Sequence, residues 1–236
     1  MPCARCGGPC SAESLPSQAL KHKPRGRLWL ACAALLAVGA LAGRYLPATA
    51  LEWRPGAAAA QPWRWWTAAF VHWTPMHLAA NLAGLAAVAA LGHVARVRGM
   101  LALAWVASWP LVHLSLWLRP DLVHYGGLSG VLHAGVAVAA IYIVRRGRGL
   151  IAGVGWMLIA GLATKVLLEE PWGPSLRLVA GQEIAVAPLA HAAGAFWGSV
   201  CALMVLARDA PGPASATTEA ASPPRPVDAG RAHADD

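Results

Sequence analysis

Charge is what this sequence has least of. Only 13% of its 236 residues are Asp, Glu, Lys or Arg, while 57% are hydrophobic. A soluble domain of ordinary composition carries about a quarter charged residues. Phe and Tyr are also scarce, but Trp occurs 12 times, and Trp is enriched at membrane–water interfaces. The composition therefore excludes an ordinary soluble domain and predicts one membrane domain.

Other absences narrow the function. The net charge is +8, but no basic stripe is interleaved with aromatic residues, so we do not expect nucleic acid as a partner. No H-E-x-x-H motif occurs, and we expect neither a metal site nor a cofactor. The N-terminal Cys3, Cys6 and Cys10 include one C-x-x-C pair without the second pair of a typical zinc site. We expect a reduced tail there, with a zinc site that includes His22 as the open alternative.

Six apolar segments are long enough to cross a bilayer, since a transmembrane helix needs about 20 residues. They cover residues 28–46, 75–94, 100–118, 127–144, 150–168 and 188–207. We therefore predict an all-α membrane domain of six helices over residues 28–207. Residues 1–27 form a basic, Cys-containing tail without a cleavable signal peptide. Residues 208–236 have the composition of a disordered tail.

The placement of basic residues predicts the orientation. If the N-terminus is cytoplasmic, 13 of the 19 Lys and Arg residues fall on the inner side. This bias is typical of bacterial inner-membrane proteins. We therefore expect a multi-pass protein of that membrane with both termini in the cytoplasm.

Four polar residues then share one depth. His77 and Asn81 lie four residues apart near the outer end of the second segment, so they occupy one helix face. Ser129 lies at the outer end of the fourth segment and His191 at the outer end of the sixth. Polar residues inside a membrane are costly and usually functional, so these four predict a site that faces the periplasm.

The residue types indicate acyl transfer. A serine hydroxyl needs a neighbouring base, and histidine is the usual one. We predict Ser129 as nucleophile, His191 as base, and His77, Asn81 and the Ser129 amide as donors to the oxyanion. No acid within the segments is near His191, which predicts a dyad. The alternatives are that Ser129 only packs helices and that His77 and Asn81 only bond them together.

Glycine predicts how the helices meet. Ser129 lies in Gly126-Gly127-Leu128-Ser129-Gly130, and His191 precedes the G-x-x-x-G pair Gly194 and Gly198. Small residues let helices approach closely. We expect the His191 face of the last helix to meet the fourth helix at Gly130 and Ala134.

Together these motifs resemble the rhomboid family of intramembrane proteases. The matching features are Trp63-Arg64, H-x-x-x-N in the second segment, G-x-S-G in the fourth and H-x-x-G-x-x-x-G in the sixth. The residues around Ser129, with Lys165, Glu169 and Ala190-His191, are most similar to the rhombosortase subfamily. The sequence departs from the family pattern at Ala134, where Gly is typical, and at Ala190, where Asp is typical.

The resemblance implies a six-helix rhomboid-like bundle with an outward-opening cavity. It implies a serine endopeptidase that sorts proteins by cutting a GlyGly-CTERM anchor, which is a Gly-rich motif followed by an apolar helix and a basic end. The expected partners are such membrane-anchored substrates and the lipid bilayer. Further candidates for substrate contact are Gly127, Gly130, His133, Lys165 and Glu169, although Lys165 and Glu169 could equally form a rim ion pair.

Two other functions stay open. One is an inactive rhomboid-like protein that binds membrane clients, although such proteins usually lack the Ser or the His that this chain keeps. The other is a transporter or metal-handling protein, for which the outer histidines would be the ligands. Those histidines are His72, His77, His113, His124 and His191.

Overall fold

The chain folds as a helical bundle. The computed structural model describes residues 26–178 and 185–208. Within these ranges 73% of residues are helical and none is in a β-strand. Five helices are long and apolar enough to cross a membrane, and a sixth apolar helix is shorter. The all-α membrane class is thus confirmed, while residues 1–25 and 209–236 of the predicted tails, including Cys3, Cys6 and Cys10, lie outside the described residues.

The long helices follow the apolar segments closely. The order is α1 Arg27–Gly43, α2 Ala48–Leu51, α3 Pro55–Ala58, α4 Arg64–Thr67, α5 Pro75–Val94, α6 Gly99–Leu114, α7 Ser129–Arg146, α8 Leu150–Leu168 and α9 Pro188–Arg208. Single 3₁₀ turns follow α4 at Ala68–Phe70 and α6 at Ser115–Leu118. The main addition is that residues 47–74, which lie between the first two predicted segments, contain α2, α3 and α4.

Helix α7 occupies the centre of the bundle. In the most apolar stretch of α7, 61% of the residues are buried inside the protein, against 6% in α8. The mean hydropathy of α8, 1.8, is the highest among the five candidate spans. Small buried residues such as Gly135, Ala137 and Ala139 let neighbouring helices pack tightly around α7. The helix that begins at Ser129 is therefore enclosed by protein, while α8 leaves most of its surface for lipid.

The contact between α7 and α9 depends on two glycines. A Cβ atom on Gly194 would lie closer to the Gly130 carbonyl oxygen than real Cβ contacts allow. A Cβ atom on Gly198 would lie 2.5 Å from the carbonyl oxygen of Ala134. The two helices meet where the sequence indicated, and Gly198 supplies the close approach opposite Ala134.

Tryptophans hold the other side of the bundle together. The rings of Trp29 and Trp105 stack with centroids 4.5 Å apart. Their indole N–H groups donate to the carbonyls of Val88 at 3.0 Å and Val131 at 2.8 Å. Trp29, Trp53 and Trp105 are at most 1% exposed. Each of these three indoles is therefore enclosed by other parts of the fold.

The segment between α1 and α5 is tied together by a buried arginine. Arg64 is 6% exposed, and its guanidinium donates to the carbonyls of Glu52 at 2.6 Å and Thr49 at 3.0 Å. Backbone bonds then join this segment to the residues before α7. Trp53 pairs with Tyr125, and the Gly127 amide donates to the Ala68 carbonyl at 2.9 Å. The segment therefore fixes the approach of the chain to Ser129.

We predict that Gly194→Ala destabilises the protein, because the added methyl group forces α9 away from α7. Overpacking typically costs about 1–3 kcal/mol in free energy of unfolding. The matched control is Gly161→Ala in α8, where an added Cβ meets nothing within 4 Å. The measurement is the thermal unfolding midpoint in detergent. Equal midpoints for the two variants would contradict the proposed contact.

Candidate functional site

Ser129 is the first residue of α7 and is partly exposed. The first amide groups of a helix have no partner within it and carry partial positive charge. The chain reaches this position through Gly127, whose φ of 127° is a conformation that favours glycine. Ser129 therefore combines a hydroxyl with a helix N-terminus that suits a developing negative charge.

His77 and Asn81 lie beside the chain just before Ser129. A Cβ atom on Gly127 would lie 2.7 Å from His77 Nε2 and 3.7 Å from Asn81 Nδ2. The Asn81 side-chain amide donates to the His77 carbonyl at 3.2 Å, which uses one of its two N–H groups. The second N–H group of Asn81 and the His77 ring are thus available next to Gly127.

The ring of His77 is packed between aromatic neighbours. Its centroid lies 4.7 Å from that of His72 and 6.1 Å from that of Trp73. Burial lowers the pKa of His72, although its bond to the Phe70 carbonyl opposes this. Burial therefore favours the neutral form of His72 beside the His77 ring.

Glu169 contacts His191, contrary to our expectation of a dyad. Its Oε2 lies 2.6 Å from His191 Nδ1, and the His191 residue is 5% exposed. The sequence analysis considered only acids inside the apolar segments, whereas Glu169 is the C-cap residue of α8, one residue beyond its end. The capping position brings the carboxylate to the first turn of α9.

Glu169 is held in its ionised form. Burial by itself would raise the pKa of this carboxyl, but the hydrogen bonds and charges of His191 and Lys165 outweigh it and lower the pKa to about 2. An ionised carboxylate only accepts hydrogen bonds. The contact with His191 Nδ1 is therefore an N–H donated by the histidine.

His133 links His191 to the serine backbone. Its ring is stacked on that of His191, with centroids 4.1 Å apart and planes 11° from parallel. Its Nδ1 lies 2.6 Å from the carbonyl oxygen of Ser129, four residues earlier on α7. Through this ring, residues of α7 and α9 form one cluster that contains both Ser129 and His191.

Tyr125 is a neighbour of Ser129 that the sequence did not point out. Its hydroxyl donates to the Gly127 carbonyl at 3.3 Å. Burial raises the pKa of the phenol, while hydrogen bonds with the Ser129 side chain and the Gly130 backbone lower it by less. A protonated hydroxyl thus faces Ser129. The one signal in the sequence was that Tyr125 lies four residues before Ser129.

Most of the predicted site residues lie near Ser129 or His191, but two of the outer histidines do not. Gly130, Gly194 and Gly198 form the contact between α7 and α9, about one turn from the rings of His133 and His191. Lys165 contacts Glu169 and is half-exposed at the rim. His113 and His124 have other partners: His113 Nδ1 is hydrogen-bonded to the Trp65 carbonyl, and His124 Nδ1 lies 3.1 Å from Glu52 Oε2.

The five outer histidines proposed as metal ligands are therefore not one group. Within residues 26–178 and 185–208, the only group of three or more His, Cys, Asp and Glu side chains close enough to share a cation is His133, Glu169 and His191. Two of these three residues were outside the predicted set.

Comparison with protein-family models, with curated proteins and with solved structures finds no match for this chain.

We predict that Glu169→Gln lowers the thermal unfolding midpoint, and that the difference from wild type shrinks as the pH falls. The pKa of Glu169 is about 2 in the folded protein against an ordinary value of 4.5. A carboxyl with a lowered pKa stabilises the fold fully above its ordinary pKa and loses this effect as the pH falls through the folded value. The measurement is the midpoint in detergent between about pH 7 and pH 3, a range that passes through the ordinary value and approaches the folded one, so the difference shrinks without vanishing.

The control for this prediction is Glu170→Gln, which removes the exposed neighbouring carboxylate that pairs with Arg177. An exposed ion pair contributes about 0–1 kcal/mol, so the control shifts the midpoint little. A difference between Glu169→Gln and wild type that stays constant or grows toward pH 3 would contradict the assigned ionisation.

Proposed function

We propose that the protein is an intramembrane serine endopeptidase of the rhomboid type. The observation that carries the proposal is the convergence of Ser129, His191, His77 and Asn81, which come from three different helices, at one end of the bundle. A hydroxyl, a base and amide donors within one cluster are the parts that acyl transfer requires. Helix packing alone would not require this combination.

Nucleophilic attack depends on which ring nitrogen of His191 carries the hydrogen. Its Nδ1 carries the hydrogen donated to Glu169, so a neutral ring has its free lone pair on Nε2. The Ser129 oxygen forms a bond to the scissile carbonyl carbon, and its proton moves to His191 Nε2. The carbonyl π bond becomes a negative charge on oxygen, and the histidine becomes an imidazolium.

The oxyanion is stabilised by the donors around Gly127. The Ser129 amide lies at the N-terminus of α7, and the Asn81 amide and the His77 ring lie next to Gly127, two residues earlier. Such fixed donors act without reorganising during the reaction. This explains why a residue with φ of 127° and without a side chain is needed between them.

Collapse of the intermediate completes the cycle. The C–N bond breaks as His191 Nε2 returns its proton to the leaving amine, which leaves an ester on Ser129. Water then adds to the ester with His191 again as base, and the serine and a free carboxyl group are restored. A substrate must leave its own helix before it can be cut, because a helical backbone keeps the scissile carbonyl in an intrahelical hydrogen bond.

The wider assignment rests on the sequence. We propose six spans with α1 as the first, both termini in the cytoplasm, and the Ser129 end facing the periplasm of a bacterial inner membrane. The proposed substrates are exported proteins with a GlyGly-CTERM anchor, whose glycines weaken the helix near the site. The bias of basic residues and the resemblance to rhombosortases support this assignment.

We predict that wild-type protein cleaves a reporter bearing such an anchor and that Ser129→Ala and His191→Ala do not. Loss of either partner removes the activated nucleophile. The measurement is the cleaved fraction after co-expression, read by immunoblot. Ser199→Ala is the matched control, because Ser199 is also on α9 and donates only to the Ala195 carbonyl at 2.7 Å. Equal cleavage by wild type and Ser129→Ala would refute the assignment.

We predict that Asn81→Ala lowers kcat by about 10²–10³-fold, which is the usual effect of losing one oxyanion donor. KM changes little, because the donor acts on charge that develops after binding. Steady-state kinetics in detergent, with the unfolding midpoint as a check on the fold, measures both. An unchanged kcat would assign Asn81 to helix bonding alone.

A further inference from the structure

Glu169 is placed as an orienting group for His191. Its Oε2 accepts from Nδ1 at 2.6 Å, on the side of the ring away from the free lone pair. The side chains of His191 and Glu169 are 6% and 17% exposed. A short bond between a histidine and an ionised carboxylate, shielded from water, holds the ring in one orientation.

A second contact fixes the carboxylate itself. Lys165 pairs with the other oxygen, Oε1, from one turn earlier on α8. Each oxygen of Glu169 thus has its own partner, so the group cannot rotate freely. Lys165 is half-exposed, whereas His191 is buried. The contacts from Lys165 to Glu169 and from Glu169 to His191 therefore lead from the surface of the bundle to its interior.

The carboxylate also selects the tautomer. Since an ionised carboxylate cannot donate, the Nδ1–H form of His191 is favoured and Nε2 is left to accept a proton. When His191 becomes an imidazolium during attack, the negative charge at 2.6 Å stabilises it. These are the two functions of the third residue in serine protease triads.

The same three side chains are poorly arranged for a metal ion. His133 and His191 lie with ring planes only 11° from parallel at 4.1 Å. Their lone pairs lie in the ring planes and so run side by side without converging on one point. Nδ1 of His133 is also engaged by the Ser129 carbonyl. The geometry favours the orienting role over metal binding.

We propose that Glu169 is the positioning residue of a Ser129–His191–Glu169 triad, with Lys165 holding the carboxylate in place. This inference rests on the proposed function. It replaces the expectation of a dyad and gives Glu169 a role separate from substrate contact. The ion-pair partners that carry this inference are Lys165 and, when it is protonated, His191.

Glu169→Gln tests the proposal, with Glu169→Asp as the conservative variant and Glu170→Gln as the control. An amide donates to Nδ1 and so favours the wrong tautomer, a change that lowers kcat by about 10⁴-fold in soluble serine proteases. We expect kcat of Glu169→Gln to fall by about 10²–10⁴-fold with KM nearly unchanged. Glu169→Asp keeps part of the activity, and Glu170→Gln keeps nearly all of it.

A small fluorophosphonate separates positioning from substrate contact, because it has no Gly-rich segment to bind. Its rate of reaction with Ser129 falls in Glu169→Gln in parallel with kcat if Glu169 orients His191. An unchanged probe rate with a raised KM would overturn the proposal and assign Glu169 to the substrate. The unfolding midpoint shows whether Glu169→Gln is folded. If it is not, the probe rate and kcat are compared between Glu169→Asp and wild type instead.

The failure of the proposed function is distinguishable from the failure of this inference. Cleavage and labelling that persist in Ser129→Ala remove the protease assignment and the triad together. Cleavage that requires Ser129 and His191 but is unchanged in Glu169→Gln leaves the protease in place and removes only the triad.

Discussion

The close approach of α7 and α9 is the contact on which the rest of the site depends. Gly194 and Gly198 present bare backbone to the carbonyl oxygens of Gly130 and Ala134. This contact lies one turn from the stacked rings of His133 and His191. Apolar side chains gain little by associating with each other in lipid, so backbone proximity and hydrogen bonds hold helices together there. The spacing of two helices therefore sets the spacing of the reacting groups.

The site gathers polar groups at one end of an otherwise apolar bundle. His77, Asn81, His133, Glu169 and His191 come from four helices, and each lies in the first two turns of its helix or, for Glu169, at the C-cap. Unsatisfied polar groups are expensive inside a membrane. Their mutual bonds, together with the backbone carbonyls of His77 and Ser129, reduce this cost and leave few groups free for chemistry.

Much of this arrangement was predictable from the sequence. The apolar runs determined the long helices to within a few residues, because length and hydropathy decide which segments can span a bilayer. The Gly194 and Gly198 pair also indicated the correct face of α9. These are local signals, and each can be read from one segment at a time.

The rest depends on tertiary structure. Glu169 lies beyond the end of α8, and only the fold shows that this end touches the first turn of α9. The stacking of His133 on His191 and the burial of Trp29 and Arg64 have the same origin, since no spacing along the chain specifies contacts between distant helices. Trp and Arg favour interfaces on average, but a specific hydrogen-bond partner outweighs that average for a buried side chain.

The nucleophile can be identified directly by treating the membrane-embedded protein with a fluorophosphonate and locating the modified residue by peptide mass spectrometry. We expect one adduct, on Ser129, which is absent when the protein is heat-denatured before labelling. Modification of a different serine, or equal labelling of folded and denatured protein, would contradict the claim that the fold makes Ser129 a nucleophile.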